Sequence, residues 1–500
     1  MVLEPVGSVL SLPMCAASRP NSGTCQATGL NKKTGAVNLS EPVSPRDQWS
    51  SRWVFVLAAT GSAVGLGNIW KFPYIVGENG GGAFVLLYLF CVLFITLPIM
   101  MAEVLLGYLG KRDPIDTMAE LAHRAGASRR WGVIGLSGVV AGFLILSYYS
   151  VIAGWTMAYI GHAAGGDFNG ADVAQISGLF DDLLASPWRL LGWHSLFMVL
   201  TIAVVARGVR AGLEKALTIL MPGLLLLLVA LVLYAATTPA FAEGAAFLFK
   251  PDFSKLTASA VLVAMGHAFF TLSLGMGAIM IYGSYLPAGS SVARVSLVVA
   301  LADTVIALLA GLAIFPLVFT HGLEPGQGPG LLFVTLPNAF AQIVGGQVVG
   351  CGFFLLMLFA AWSSAISLIE PAVAWMVERF GWSRLKAALV GGVIAWATGL
   401  LTVVSFNLAA DFHPLGGSLT MFELIDFLTT NVMLPLGGVL IALFAGWRLL
   451  PADRIAAMAD VPAVVVQLWL WSVRIVAPVA VLLVMVAAIA SALQVPMPWE

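Results

Sequence analysis

After about residue 48 the chain alternates between long apolar runs that hold few charges and short links that carry most of its Arg and Lys. The runs lie at about 53–75, 83–109, 132–162, 190–206, 213–236, 257–285, 296–319, 339–377, 387–405, 422–446 and 462–492. A perpendicular crossing of a bilayer takes roughly 20 apolar residues, so each run predicts a membrane-spanning helix and the longer ones tilt or extend beyond the bilayer. The pattern is all-α and polytopic, with eleven crossings.

Two runs are interrupted. The first reads Thr60-Gly61-Ser62-Ala63-Val64-Gly65-Leu66-Gly67-Asn68-Ile69-Trp70-Lys71-Phe72-Pro73, with Gly65 and Gly67 near the middle of a segment on the order of 33 Å long. The sixth reads Phe270-Thr271-Leu272-Ser273-Leu274-Gly275-Met276-Gly277. Glycines serve close helix packing in membranes. Unwound backbone at that depth instead has to be buried in protein or line a cavity. Two such breaks five helices apart point to an inverted repeat with a binding site near the midplane, where half-helix ends meet ions and anionic groups.

Composition agrees: 500 residues, 60% hydrophobic and only 10% charged, against about 25% charged in soluble domains. The net charge of −1 gives no basis for nucleic-acid binding. Cys15 and Cys25 precede the first run and Cys91 and Cys351 lie in apolar runs, a spacing that suggests neither a disulfide framework nor a zinc site. Residues 1–48, rich in Ser, Pro, Gly, Asn and Thr, read as a disordered cytoplasmic tail, which a misassigned start codon explains equally well. The Lys/Arg bias sets orientation. With the N-terminus in the cytoplasm, the inner links hold Lys111, Arg112, Arg124, Arg129, Arg130, Arg207, Arg210, Lys215, Arg294, Arg379, Arg384, Lys386, Arg448 and Arg454. The outer links then hold only Arg189, Lys250 and Lys255, and the C-terminus lies outside. The expected organisation is a tail (1–48), a first five-helix repeat (49–237), a second (238–447), and an eleventh helix with the C-terminus (448–500).

Gly61-Ser62-Ala63-Val64-Gly65-Leu66-Gly67-Asn68, then Phe72-Pro73 and Glu78-Asn79-Gly80-Gly81-Gly82-Ala83-Phe84, resembles the signature of the neurotransmitter:sodium symporters. The second break and Ser363-Ser364 fit the same pattern. The resemblance covers about residues 46–490 and implies a LeuT-like 5+5 inverted repeat with discontinuous helices 1 and 6. It departs from the family's twelve-helix form by ending after helix 11, as in bacterial members, and implies a bacterial inner-membrane location.

By that resemblance a first Na⁺ takes the Ala63 carbonyl, Asn68, Thr271, Asp303 and the substrate carboxylate. A second takes the carbonyls of Gly61, Val64 and Ala360 with the hydroxyls of Ser363 and Ser364. Short polar groups and carbonyls are what a hard cation needs in a dry site, although serines on a helix also bond back to their own turn. A carboxylate such as Asp303 within a span needs a partner. Relatives often carry Asn there beside a chloride site, and four residues on, where they place Ser or Glu, this chain has Ala307. Asp303 is therefore expected to supply the fixed charge and make transport chloride-independent. His267, one turn before Thr271, forms with Asp303 a possible proton-returning pair, or is a neutral core histidine.

Gly65 stands where monoamine carriers have Asp, which leaves the N–H groups of Leu66 and Gly67, with Tyr149, to receive an α-carboxylate. The amine falls to the carbonyls of Ala63, Phe270 and Thr271 and to Ser273. Ile145, Tyr149, Ile152, Phe270, Met276, Ser364 and Leu368 are expected to line an uncharged side-chain pocket. Lys71 with Asp426 forms the implied outer gate. Arg46 with Glu378, helped by Trp49 and Tyr285, forms the inner one. Gly212 and Pro222 mark a stretch of helix 5 that unwinds in similar bacterial proteins, or a plain proline kink. The expected function is Na⁺-coupled import of hydrophobic or aromatic L-amino acids by alternating access, with one or two Na⁺, two favoured. It needs one copy of the chain, a bilayer and a small-molecule substrate, and no nucleic acid. A carrier of a small amine or betaine-like solute and a transport-dead sensor are the alternatives. No nucleophile–base pair or metal spacing suggests an enzyme.

Overall fold

The computed structural model describes residues 48–323, 330–343, 345–415 and 419–492. Helix starts are set locally, by side chains that accept the free N–H groups of a first turn. Ser51 accepts from Val54 N, Asp113 from Ile115 and Asp116 N, and Ser383 from Lys386 N. Asp172 and Thr420 form reciprocal capping boxes with Gln175 and Glu423.

The first span is split into α1 (Arg52–Ala63) and α2 (Gly67–Glu78), bent by 55° at the break. There follow α3 (Gly82–Gly110), α4 (Pro114–Arg124), α5 (Arg129–Gly165), α6 (Val173–Ala185), α7 (Pro187–Val205) and α8 (Val209–Ala235). The second half begins after α9 (Phe241–Phe249) with another split span, α10 (Ala258–Thr271) and α11 (Ala278–Ser284). It continues with α12 (Val292–Thr320), α13 (Leu331–Ala341), α14 (Gly346–Phe380), α15 (Arg384–Ser405) and α16 (Met421–Arg448). A short α17 (Pro451–Ala457) leads to α18 (Ala463–Ala492). Nine helices among the described residues are long and apolar enough to cross a membrane unaided, and the bent pair α1–α2 makes ten; α10 and α11, divided by the break at 272–277, lie where the sequence pattern places one more.

One boundary differs from the sequence pattern. The apolar run at 339–377 divides, because α13 ends at Ala341 and a left-handed Gly345 precedes α14. Apolarity alone does not separate a short helix tucked against the bundle from the span that follows it. Gly212 and Pro222 lie in continuous helix: Gly212 sits in a π-turn over Val209–Glu214, and Pro222 inside α8.

The sixth span packs backbone to backbone against its neighbours. Its break runs through Ser273 (φ 55°), Gly275 (φ 80°) and Gly277 (φ 75°). A Cβ added at Gly107 on α3 would stand 2.0 Å from the Met280 carbonyl oxygen, and one at Gly283 would stand 2.8 Å from that of Val104. Gly275 meets Leu434 O at 2.3 Å on the same measure, Gly437 meets Gly275 O at 2.8 Å, and Gly138 on α5 meets it at 3.0 Å. Main chains thus touch directly where α3, α5 and α16 meet this span. Gly107→Ala is expected to lower stability by about 1–3 kcal/mol through overpacking. Gly161→Ala, which meets nothing within 4 Å, is expected to leave it unchanged or slightly higher. Thermal unfolding of the two purified variants checks the contrast.

Candidate functional site

The two breaks face each other at the centre of the bundle. Their freed backbone groups have no helical partners, and side chains from the surrounding helices supply them. Leu66 N donates to Tyr149 Oη at 3.1 Å, and Gly65 N to Asn68 Oδ1 at 3.1 Å. Ser273 Oγ donates to the Ser62 carbonyl at 2.8 Å, which ties one break to the other. Glu103, fully buried on α3, accepts from Gly275 N at 2.5 Å.

The residues expected at a first cation site come together. Asn68 Nδ2 donates to Asp303 Oδ1 at 2.8 Å, and Thr271 Oγ1 to Asp303 Oδ2 at 3.1 Å, all three being buried. Asn68 turns its oxygen to Gly65 and its amide nitrogen to Asp303, so the three groups are joined by hydrogen bonds. At the second site Ser364 Oγ lies 3.4 Å from Gly61 O, 3.3 Å from Ser62 O and 3.2 Å from Val64 O. Ser363 Oγ bonds back to Ala360 O at 3.0 Å. Oxygens without a carboxylate, gathered this closely, suit a monovalent hard cation.

Between these groups remains a cavity of about 30 Å³, lined by Ser62, Ala63, Gly65, Gly67, Ile145, Tyr149, Phe270, Thr271, Ser273, Met276, Ser364 and Leu368. None of these side chains is charged. Of the expected lining, Leu66 contributes its N–H alone and Ile152 lies off the cavity, while Ser62 was not anticipated. The space expected in front of Gly65 is filled: a Cβ there would meet Ser364 Oγ at 2.7 Å and Tyr149 Oη at 2.8 Å. A volume this small holds about one or two waters. The polar groups around it are bonded to one another.

His267 does not touch Asp303. Its ring, 2% exposed, lies 5.8 Å from Phe72 and 5.5 Å from Tyr88, and neither nitrogen has a hydrogen-bond partner. Tyr88 stands between, its hydroxyl near Asp303, Thr271 and Thr304. Neither Tyr88 nor Glu103 was singled out from the sequence. For Glu103 a signal existed, since a carboxylate inside an apolar run needs a reason. Tyr88 looks like any aromatic in a span.

The ends of the bundle differ. At the end that carries α2, Lys71 Nζ lies 4.8 Å from the centre of the Phe270 ring, and Asp426 accepts from Thr430 Oγ1 at 3.1 Å. Lys71 and Asp426 form no ion pair among the described residues, and a cavity of about 330 Å³ opens beside Lys71 between α2, α10, α16 and α18. At the basic end Trp49 is buried, donating from N to Tyr285 O at 3.1 Å and from Nε1 to Tyr282 O at 3.2 Å, with edge-on contacts to both rings. Tyr285 Oη donates to Glu370 Oε1 at 2.7 Å, and Arg384 pairs with the other oxygen of Glu370. Arg46 lies outside the described residues. Its expected partner Glu378 accepts from Asp113 N at 3.3 Å and lies 3.9 Å from Arg112. This end is closed.

Burial, with the Glu378 carboxylate beside it, pushes the Asp113 carboxyl up to about 7. The unfolded chain gives up that proton near pH 4 and the folded chain holds it, so stability falls as pH rises from about 4 to about 7. Asp113→Asn keeps the helix cap and removes the proton. Melting curves at pH 5 and pH 8 are expected to show a smaller loss for this variant than for the native chain.

Comparison with known proteins gives a consistent picture. The model of the Sodium:neurotransmitter symporter family matches residues 46–169 and 162–497. The sodium-dependent transporter YhdH of Bacillus subtilis is 38% identical over 440 residues, covering 87% of this chain and 96% of its own. A sodium-dependent transporter of Haemophilus influenzae is 31% identical over 450 residues, covering 88% and 98%. The crystal structure of MhsT in complex with L-phenylalanine matches with a TM-score of 0.81 at 45% identity, covering 89% of this chain and all of that one.

Proposed function

Because the chain belongs to the sodium:neurotransmitter symporter family, we propose that this sodium-dependent transporter imports hydrophobic or aromatic L-amino acids, independently of chloride. The observation that carries the substrate reading is the uncharged cavity between the two breaks, with backbone donors at one end and carbonyls with a serine hydroxyl at the other. In this reading the α-carboxylate takes the Leu66 and Gly67 N–H groups and the Tyr149 hydroxyl. The ammonium takes the carbonyls of Ala63, Phe270 and Thr271 with Ser273. The side chain lies among Ile145, Met276 and Leu368, where a charged group would be left unpaired at a cost of several kcal/mol. The phenylalanine bound by MhsT, at 45% identity, supports the same class.

Two Na⁺ bind, one to Ala63, Asn68, Thr271, Asp303 and the substrate carboxylate, the other to Gly61, Val64, Ala360, Ser363 and Ser364. Sharing the carboxylate couples ion and substrate, each tightening the other. Two charges falling through 100 mV supply about 4.6 kcal/mol, enough for roughly a thousandfold accumulation of a zwitterion. Asp303 carries the negative charge that chloride supplies elsewhere, and His267, whose nitrogens meet no hydrogen-bonding group, is a neutral core histidine. The basic end is cytoplasmic by the Lys/Arg bias. The described arrangement, closed at Trp49 and unpaired at Lys71, then faces outward.

Uptake of radiolabelled leucine and tryptophan into proteoliposomes tests this reading. A Na⁺ gradient is expected to drive saturable accumulation that a K⁺-only control lacks, and Asn68→Ala is expected to abolish it. Replacing chloride by gluconate is expected to leave the rate unchanged, and a strict chloride requirement overturns that part. Competition by betaine but not by leucine or tryptophan would assign the cavity to a small amine-like solute instead.

A further inference from the structure

A different part of the fold carries a second site. Arg474 is the single charged residue in the thirty residues of α18, nearly all the others being apolar. A guanidinium in that setting is costly unless it is paired or reaches the interface. Its Nε donates to Gly446 O at 2.8 Å, and its guanidinium lies 4.8 Å from the Trp447 ring. Arg454, on α17 and 8% exposed, reaches the adjacent carbonyl, with Nη1 3.4 Å from Ala445 O. Both arginines therefore converge on the last turn of α16. Each carries five N–H donors, of which these bonds engage one.

Two buried-to-half-buried cations have been brought together without an anion. Among the described residues no carboxylate pairs with Arg448, Arg454 or Arg474. Burial and the neighbouring Arg474 both work against the charge on Arg454, yet a guanidinium stays protonated. The missing negative charge comes from outside the described chain. Its surroundings say from where, since Trp447, Trp471, Ile455 and Ile475 are all exposed around the pair. Tryptophans beside cations at the end of an apolar span mark the level of lipid head groups. Basic recesses between spans at the cytoplasmic side take phosphate-bearing head groups, with the acyl chains lying on the apolar surface above.

We propose that Arg454 on α17 and Arg474 in the first half of α18, which meet at the last turn of α16, bind the phosphate of an anionic phospholipid in the leaflet at the basic end of the bundle. The guanidinium forks take the phosphate oxygens, and Trp447 and Trp471 flank the glycerol and upper acyl chains. The assignment is independent of which substrate the central cavity takes. It predicts that lipid charge sets the fit of α18 against α16.

The test uses the full-length chain in nanodiscs and, after release, native mass spectrometry. Phosphatidylglycerol is expected to be retained in preference to phosphatidylcholine, and to raise the melting temperature where phosphatidylcholine does not. Arg454→Gln and Arg474→Gln are each expected to weaken that retention about fivefold, whereas Arg189→Gln, in the first turn of α7 at the other end, leaves it unchanged. Arg474→Lys keeps the charge without the fork and is expected to hold phosphatidylglycerol more weakly than the native chain. Na⁺-dependent thermal stabilisation, preserved in these variants, shows that they remain folded. Equal retention of both lipids, unchanged retention in both Gln variants, or an equal stabilisation by inorganic phosphate overturns the proposal.

Discussion

A main chain that leaves its helix inside a membrane must find a partner for every freed N–H and carbonyl, since the interior offers no water to take them. In this protein buried side chains answer that requirement at two places. Tyr149 meets Leu66, Asn68 meets Gly65, Glu103 meets Gly275, and the hydroxyls of Ser273 and Ser364 meet carbonyls of the first break. Each unpaired group would otherwise cost several kcal/mol. The partners come from α2, α3, α5 and α14 and from the second break itself, so satisfying the breaks draws four helices and both breaks onto one point. The site is where that obligation converges, and the groups that settle it in the contracted arrangement are the ones that ligands must win over.

The two ends of the molecule are built on different physics. At the basic end a tryptophan is seated by two backbone carbonyls and two tyrosine rings, with a carboxylate–guanidinium pair behind it. At the other, a lysine rests on the face of Phe270 and its expected acid is held by a threonine. Lysine binds as a point charge rather than as a two-pronged fork, so it moves between a ring and a carboxylate at little cost. The flexible end is thus built from an exchangeable cation, and the firm end from directional bonds.

The spans were legible in the sequence because apolar runs of membrane length leave few alternatives, and the breaks because Gly65, Gly67, Gly275 and Gly277 contradict a plain anchor helix. Most of the central lining was legible too, once the first motif fixed the register. Three kinds of feature were not. Tyr88 and Ser62 are ordinary residue types whose role lies in what a distant helix brings beside them. The filled space before Gly65 depends on Tyr149 and Ser364 leaning inward, a tertiary fact. The division of the run at 339–377 turns on chain direction, to which hydropathy is blind. Glu103, Glu370 and Arg474 fall between these cases: as charges within apolar runs they announced themselves, but their partners could be found only in three dimensions.

The contact between the sixth span and its neighbours has a mechanical meaning. Where helices mesh by side chains, sliding one past another means lifting each knob out of its hole, and movement comes in steps. Around Gly275 and Gly283 the neighbours meet main chain to main chain, through Gly107, Gly138 and Gly437. Such a surface is nearly smooth, like a plain bearing. α11 can shift by fractions of a turn without passing over steric teeth, while Glu103 and Ser273 tether its upper end. Small displacements at the centre are then transmitted to Tyr282 and Tyr285, and so to the tryptophan they hold.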